Sequence, residues 1–346
     1  MTNQQKYQGL VLWGNRKAEI KEFPLKEPQQ GEILLRIKAA GLCGSDLHYY
    51  RNTPEELGNR LGVVIGHEPS GIVVKVGPGV SNFYPGDRVA VNHTLGCNHC
   101  EFCLAGETVL CSKNIGIAAA GYGADAEYSM MPAKTCFHLP NELSFIEGTF
   151  IGCTGATVYN ALRKLNPSGR DKLVIFGLGP VGLAAVMLAK ALGATVFGVD
   201  VILERLDMAK KFGASEVINA AETDPVKVIQ SLTQGTGVDS VLETSGASTA
   251  QSNAVDVIRP QGKIVFIGLS KGKKSINPEQ FLHKQAILIG SKVMPGNLYW
   301  EMTRFLIDKK IRFESLVTHY NSLVDGPAAF KKFNEGAAGK FMFIMD

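Results

Sequence analysis

The stretch that decides the fold is Leu173-Val174-Ile175-Phe176-Gly177-Leu178-Gly179-Pro180-Val181-Gly182, in a chain of 346 residues. Its first four residues are apolar and predict a buried strand, and the alanine-rich run from Leu183 to Leu192 predicts a helix. In the pattern G-x-G-x-x-G, the first glycine allows a tight turn, the second lets the backbone approach a pyrophosphate, and the third lets helix and strand pack closely. The sequence therefore predicts a dinucleotide-binding turn formed by Gly177, Gly179, Pro180, Val181 and Gly182.

The residues that follow this turn support the prediction. The next predicted strand, Thr195–Val199, ends on Asp200, whose carboxylate would accept hydrogen bonds from the ribose of NAD and repel the 2'-phosphate of NADP. Arg205, five residues on, could contact the adenosine ribose. Strands and helices continue to alternate as far as Gly290, and six strands in this order predict a doubly wound parallel α/β sheet of the Rossmann type.

The chain before this region has a different pattern. Short strand-like segments separated by Gly and Pro turns, such as Gly31–Ile37 and Ile72–Val76, predict a β-rich, partly open barrel. The tail after Ser291 is too short for a domain and is expected to return to this barrel. We therefore predict a catalytic domain of residues 1–150 and 291–346, a nucleotide-binding domain of residues 151–290, and an active site in the cleft between them.

Four of the 7 cysteines lie close together in Cys97-Asn98-His99-Cys100-Glu101-Phe102-Cys103 and at Cys111. Four thiolates at this spacing can surround one tetrahedral zinc ion and hold a loop in shape. The spacing does not match a bacterial iron–sulfur cluster, and no basic recognition segment accompanies it. We predict a structural zinc bound by Cys97, Cys100, Cys103 and Cys111, with His93 and His99 as surface or packing residues.

A second set of metal-binding side chains is spread over three segments, Cys43-Gly44-Ser45-Asp46-Leu47-His48, Gly66-His67-Glu68 and Gly152-Cys153-Thr154-Gly155. A thiolate, an imidazole and a carboxylate that converge and leave one position open are typical of a catalytic zinc site. Each piece taken alone is better explained as a buried cysteine or an ordinary histidine, and only the combination favours a metal site. From the residues alone, Cys153 is either a packed small side chain or a further ligand.

Composition narrows the classes of function. The formal net charge of +4 is small and the lysines are scattered, which argues against nucleic acid as a partner. No apolar run reaches the roughly 18 residues of a membrane span, and the polar start lacks the apolar core of a signal peptide. The odd total of seven cysteines and the tight clustering of four of them favour metal binding in a reducing compartment, so we expect a cytoplasmic protein without membrane contact.

Together these motifs, with Gly86-Asp87-Arg88-Val89 and Gly290-Ser291, resemble the zinc-containing medium-chain alcohol dehydrogenases over nearly the whole chain. The resemblance implies a GroES-like fold for the barrel. It also implies a catalytic zinc bound by Cys43, His67 and Cys153, with Glu68 able to replace the fourth ligand and Asp46 orienting His67. Further implied roles are proton transfer by Ser45 and His48, a nicotinamide pocket lined by Thr157, and a pyrophosphate contact from Lys340. Gly44 departs from the pattern, because some members place a basic phosphate contact there.

The same resemblance leads to an expected activity. The sequence from Cys43 to Tyr50 is similar to that of the polyol and threonine dehydrogenase branches. The sequence Gly152–Gly155 is similar to that of the microbial alcohol dehydrogenase branch. We expect a homotetramer with two zinc ions per chain that oxidises a secondary alcohol or polyol reversibly to a ketone with NAD. A polar loop between Tyr50 and Gly62 would disfavour plain alkyl alcohols if it lines the pocket, but it is equally consistent with a solvated turn.

Other activities stay open at this stage. One alternative is a primary alcohol or a threonine-type 3-hydroxy amino acid as substrate. A second is a non-catalytic relative that binds zinc or NAD. A third is a zinc-free quinone or enone reductase with the same fold, which would not need Ser45 and His48 beside metal ligands.

Overall fold

A computed structural model of the protein describes residues 5–269, 276 and 278–345. The chain forms two compact units, one of Met1–Thr154 with Pro295–Asp346 and one of Gly155–Met294. Each unit has its own sheet and its own buried apolar core. The domain limits expected from the sequence, 1–150 with 291–346 and 151–290, stay a prediction.

The first unit begins with strands joined by short connections and brief helical turns. Its elements up to the boundary are β1 (Lys6–Gly14), β2 (Lys17–Pro24), β3 (Glu32–Gly41), α1 (Asp46–Arg51), α2 (Pro54–Leu57), β4 (Pro69–Val76), β5 (Arg88–Val91), β6 (Thr94–Leu95), α3 (Glu101–Leu104), β7 (Ile115–Gly116), β8 (Tyr128–Pro132), β9 (Cys136–His138) and α4 (Phe145–Gly152). β3 pairs antiparallel with both β4 and β8 and is buried along most of its length. It therefore lies at the centre of this sheet.

The second unit alternates strands and helices. Its elements, beginning at the boundary, are α5 (Thr154–Leu165), β10 (Lys172–Phe176), α6 (Pro180–Ala191), β11 (Thr195–Asp200), α7 (Leu203–Lys211), β12 (Glu216–Asn219), α8 (Pro225–Leu232), β13 (Val238–Glu243), α9 (Ser248–Val257), β14 (Ile258–Phe266), α10 (Pro278–Lys284) and β15 (Ile287–Gly290). The strands are parallel, in the order β12, β11, β10, β13, β14, β15. This order confirms the predicted doubly wound sheet of the Rossmann type.

The tail rejoins the first unit through its last strand. It contains α11 (Tyr299–Asp308), β16 (Val317–Asn321), α12 (Gly326–Asn334) and β17 (Lys340–Ile344). β17 pairs antiparallel with the end of β3, where Met342 lies opposite Gly41, and parallel with β16. Lys340, the first residue of β17, therefore lies near the residues that come directly after β3 in the chain.

At two places the sequence pattern extends beyond an element of the structure. The residues from Leu143 to Leu165 have a helical period, but α4 and α5 are separate because the backbone at Cys153 (φ −148°, ψ −78°) leaves helical geometry. A strand-like pattern begins at Ala126, but β8 begins at Tyr128, because Ala126 instead forms an isolated bridge with Gly9.

The helices are short compared with a membrane span. α5 and α6 have 12 residues each, which corresponds to a length of about 18 Å. A transmembrane helix needs about 20 mostly apolar residues. Among the described residues, no helix has the length and apolar character needed to cross a bilayer.

Candidate metal and cofactor sites

Four side chains from distant parts of the first unit meet to form a mixed metal-binding set, Cys43, His67, Glu68 and Cys153. One ligand atom of each lies within 4.8 Å of the others. Cys43 follows β3, His67 and Glu68 precede β4, and Cys153 occupies the break between α4 and α5. His67 Nε2 lies 3.7 Å from Cys153 Sγ. This spacing matches two corners of a tetrahedron with bond lengths of about 2.1 Å to nitrogen and 2.3 Å to sulfur, so the donor set fits zinc.

The two thiols of the mixed set differ in acidity. Their mutual hydrogen bond lowers the pKa of Cys43 well below its usual value and raises the pKa of Cys153 well above it. Cys43 is thus the more acidic thiol of the pair. Because zinc takes cysteine as thiolate, zinc binding here would release the Cys153 proton.

Asp46 fixes the orientation of the His67 ring. Its Oδ1 lies 2.9 Å from His67 Nδ1, and its Oδ2 accepts a hydrogen bond of 2.8 Å from the Cys43 backbone N–H. Burial lowers the pKa of His67, but the neighbouring Asp46 carboxylate outweighs burial and the net shift is strongly upward. Since Nδ1 faces the carboxylate, Nε2 is the nitrogen directed at the other ligand atoms.

The structure places Ser45, but not His48, against the mixed set. Ser45 Oγ lies 3.5 Å from His67 Nε2. His48 follows in α1 and is half-buried, and its backbone N–H donates to the Ser45 carbonyl over 3.2 Å. Within the described part of the chain, no hydrogen bond joins the side chains of these two residues. A proton relay between them would need an intervening group.

Lys340 lies beside the mixed set, and its expected pyrophosphate contact stays a prediction. Its ammonium is fully buried and donates to Glu68 Oε2 over 2.6 Å and to Thr154 Oγ1 over 3.0 Å. Burial raises the pKa of Glu68 to about 7, against the opposing charge of Lys340. This contact has a long-range cause, since the pairing of β17 with β3 brings the lysine to this carboxylate.

His93 packs beside the mixed set. Its ring centroid lies 5.3 Å from that of His67, and its Nδ1 lies 2.8 Å from the Gly152 carbonyl oxygen. Burial lowers the pKa of His93 to about 4, so the ring is neutral at pH 7. Because a carbonyl only accepts, Nδ1 carries the proton and Nε2 is an acceptor. His93, predicted as a surface or packing residue, therefore packs next to the metal-binding set. It follows β5 by two residues.

Asp125 was not singled out from the sequence, yet it is a buried carboxyl near the same set. It is fully buried, and neither carboxyl oxygen has a hydrogen-bond partner among the described residues. Burial, followed by the charge of Asp46, raises its pKa well above the usual value. The carboxyl packs against Gly66, where an added Cβ would lie 2.2 Å from Asp125 Oδ1. Only glycine fits beside this acid.

The four-cysteine lobe forms a second, all-thiol set. The sulfur atoms of Cys97, Cys100, Cys103 and Cys111 lie within 4.8 Å of one another. The Cys111 sulfur accepts backbone N–H bonds from Cys97 (3.4 Å) and Lys113 (3.3 Å), and a backbone hydrogen bond from His99 lowers the pKa of Cys97 to about 6. The His99 ring is exposed and bonds to the Cys97 carbonyl. A closed set of four thiolates fits a structural zinc.

The glycine turn between β10 and α6 has the geometry expected for a pyrophosphate site. A Cβ on Gly177 (φ +88°) would lie 2.7 Å from the Ser245 side chain, and one on Gly182 would lie 1.8 Å from the Gly177 carbonyl oxygen. At Gly179, the N-cap of α6, nothing lies within 4 Å of the Cβ position. The first and third glycines are thus required by packing, and the second leaves room for a ligand at the helix N-terminus. Pro180 and Val181 form the first turn of α6.

Asp200, at the end of β11, is tied to this turn. Its Oδ2 accepts from the Leu178 N–H over 2.6 Å, and its Oδ1 accepts from the N–H groups of Val201 (2.8 Å) and Ile202 (3.0 Å). Arg205 Nη1 lies 3.8 Å from Asp200 Oδ2. The predicted acid and the glycine turn are therefore brought together, with Arg205 beside them. Thr157 is half-buried on α5.

The chain matches the models of two known protein domains. Residues 29–141 match the alcohol dehydrogenase GroES-like domain, and residues 180–308 match the zinc-binding dehydrogenase domain. L-threonine 3-dehydrogenase of Pyrococcus furiosus is 33% identical, with 95% of each chain covered. Sorbitol dehydrogenase of Bacillus subtilis is 34% identical over 92% of this chain and 91% of that one. The structure of alcohol dehydrogenase TADH from Thermus sp. ATN1 superposes with a TM-score of 0.90 at 29% identity, covering 98% of this chain and all of the other.

The fold and the two ligand sets define a zinc-binding oxidoreductase with a GroES-like and a Rossmann-type part. The chain belongs to the zinc-containing medium-chain alcohol dehydrogenase family, as its sequence motifs indicated. The cofactors expected from the sequence, zinc and NAD, are confirmed at the level of this family.

Proposed function

We propose that this protein oxidises a secondary alcohol or polyol to the ketone, reversibly, with NAD as hydride acceptor and zinc in the mixed set. The observation that carries the proposal is the convergence of Cys43, His67 and Cys153, with Asp46 aligning the imidazole. Three protein ligands with one position left for substrate are typical of catalytic zinc. Glu68 lies within reach of that position.

Zinc bound there would supply Lewis acidity that makes a substrate hydroxyl easier to deprotonate. The other steps fall to the protein. Asp46 holds the ring of His67, and the Ser45 hydroxyl, close to His67 Nε2, accepts a hydrogen bond from the substrate hydroxyl. As Ser45 receives the substrate proton, it gives up its own proton through an intervening water to His48, which releases it to solvent. The water is needed because no hydrogen bond joins the two side chains within the described part of the chain.

The preference for NAD over NADP rests on the second unit. The space beside Gly179 admits the pyrophosphate, and the Asp200 carboxylate would accept hydrogen bonds from the ribose hydroxyls and repel a 2'-phosphate. Arg205 partly offsets that repulsion, since it lies beside Asp200. We propose that Asp200 dominates because three backbone N–H groups hold its oxygens in place.

The substrate class rests on the relatives rather than on the loop after α1. Sorbitol and L-threonine, named for two relatives, both carry a hydroxyl on a secondary carbon. In the loop, Thr53 and Glu56 form a reciprocal capping box at α2 and Arg51 Nε donates to Asn334, so these polar groups are already paired. The expectation that unpaired loop groups reject alkyl chains therefore loses its basis.

A substrate panel tests the proposal. Reduced nicotinamide is followed by absorbance with 2,3-butanediol, sorbitol, L-threonine and ethanol, each with NAD and NADP. We expect 2,3-butanediol or sorbitol with NAD to give the highest kcat/KM. If ethanol has the highest kcat/KM, the primary alcohol alternative is favoured. If threonine has the highest value, the 3-hydroxy amino acid alternative is favoured. If the zinc-bound protein turns over none of them, it is a non-catalytic relative.

We also propose a homo-oligomer, by resemblance a tetramer, located in the cytoplasm. β15 is an edge strand paired with β14, and its Ile287 and Leu288 side chains are nearly half exposed. An exposed apolar edge strand favours pairing with a second copy of the chain. Light scattering at micromolar concentration tests this, and a monomer mass would contradict it.

A further inference from the structure

The Glu68 carboxylate is enclosed by a three-membered hydrogen-bond network. Thr154 Oγ1 donates to Glu68 Oε1 over 3.0 Å, and Lys340 Nζ donates to Glu68 Oε2 over 2.6 Å. Lys340 also donates to Thr154 Oγ1 over 3.0 Å. Glu68 and Lys340 are fully buried and Thr154 is 2% exposed, so these contacts are shielded from water.

The threonine hydroxyl has a definite role in this network. Its single proton goes to Glu68, because the ammonium of Lys340 can only donate and so uses a lone pair of the same oxygen. Each oxygen of Glu68 therefore has one donor, and Thr154 supplies one of the two. The backbone of β3 closes another side, since a Cβ on Gly41 would lie 2.7 Å from Glu68 Oε2.

The same carboxylate belongs to the mixed metal-binding set, in which its oxygen lies within 4.8 Å of the ligand atoms of Cys43, His67 and Cys153. Glu68 thus has two competing partners, the metal on one side and the Thr154 and Lys340 donors on the other. A buried carboxylate that leaves a metal needs other donors, because an unpaired buried charge is costly.

We propose that Thr154 is a positioning residue that holds the Glu68 carboxylate off the metal and keeps the fourth ligand position open for substrate. The inference rests on the proposed zinc-dependent function. Without the hydroxyl, Oε1 loses its donor and the carboxylate shifts towards the metal. Loss of a hydrogen bond to a charged group should change the equilibrium between the metal-bound and the unbound carboxylate by about 10- to 100-fold.

The test uses Thr154→Val, which removes the hydroxyl and keeps the shape, and Thr154→Ser, which restores it. With cobalt(II) in the mixed site, the visible absorption spectrum reports the number of ligands without any substrate. We expect Thr154→Val to give a weaker, shifted spectrum typical of added carboxylate ligation, and to raise KM for the alcohol about 10- to 100-fold with a smaller change in kcat. Thr154→Ser should behave as the natural chain does.

Thr149→Val is the matched control, because Thr149 is also fully buried and its hydroxyl donates to the Ile146 carbonyl instead. Adding Glu68→Gln to Thr154→Val should abolish the spectral change, since the neutral amide competes poorly for the metal. An unchanged spectrum and KM in folded Thr154→Val would overturn the inference, as would equal effects in the Thr149 control. If Thr154→Val does not fold, a Thr154→Ser spectrum unlike that of the natural chain would also overturn it. Failure of the natural chain to bind cobalt at the mixed site would instead refute the proposed function.

Discussion

Asp46 and His67 form a direct carboxylate–imidazole pair, with Oδ1 2.9 Å from Nδ1 and side chains only 4% and 12% exposed. The pair leaves Nε2 as the ligand atom and holds the ring in one orientation. We expect Asp46→Ala to weaken zinc binding at the mixed set by about 10- to 100-fold, and Asp46→Asn to weaken it less because the amide oxygen still accepts. Competition with a coloured chelator measures both. Asp207→Ala, at an exposed position, is the control, and equal affinities in all variants would contradict the role of Asp46.

Two zinc ions with separable roles are expected from two ligand sets of different type. Cys100→Ala opens the all-thiol set, so it should lower Tm by about 5 °C or more and remove one zinc. Cys43→Ala should remove the other zinc and abolish turnover while the fold is kept, because this set leaves a position for substrate. Elemental analysis and thermal melts measure these outcomes. If the natural chain is fully active with a single zinc ion bound, the assignment of two zinc sites is wrong.

Cofactor choice is expected to depend on Asp200. Asp200→Ser removes the negative charge and the second acceptor oxygen, so KM for NAD should rise about 10- to 100-fold while the discrimination against NADP shrinks. Steady-state kinetics with both cofactors provide the measurement. Glu204→Ser, at an exposed position on α7, serves as control. A natural enzyme with a higher kcat/KM for NADP would refute the proposed preference.

The free energy of unfolding is expected to depend on pH through Asp125. Its folded pKa is raised, so the native state binds this proton more tightly than the unfolded chain does. Stability from this group is therefore present at low pH and is lost as pH rises through the folded pKa. Asp125→Asn mimics the protonated acid, and its free energy of unfolding should exceed that of the natural chain by a margin that grows with pH. Urea unfolding at pH 5, 7 and 9 tests this, and a margin that shrinks with pH would contradict it.

Assembly is expected to depend on β15. Replacing Ile287 and Leu288 by lysine places like charges on the exposed edge strand, which should reduce the solution mass to that of a smaller assembly. Leu232→Lys is the control, because it changes an exposed leucine on α8 away from this edge. Analytical ultracentrifugation measures the mass. An unchanged mass in the double variant would show that copies associate elsewhere.

The sequence was sufficient where the relevant signal is local. The strand, glycine turn and Asp200 lie within one βαβ unit, and both the α/β sheet and the family were predicted from such motifs. The roles of Lys340 and His93 could not be predicted in this way. Lys340 reaches Glu68 only through the pairing of β17 with β3, and His93 reaches His67 through the packing of α4 against β5. The site residues themselves stay predictions that the variants above test.

The bond between Lys340 and Glu68 joins residues 272 positions apart in the chain. At a synthesis rate of about 5 to 20 residues per second, the carboxylate emerges from the ribosome about 15 to 55 seconds before its counter-charge exists. During that interval a nascent chain cannot neutralise Glu68 with this lysine, and burying the carboxylate alone would be costly. Closure of the hydrogen-bond network around Glu68 therefore waits until β17 has been synthesised, so a protein truncated before β17 should lack this network.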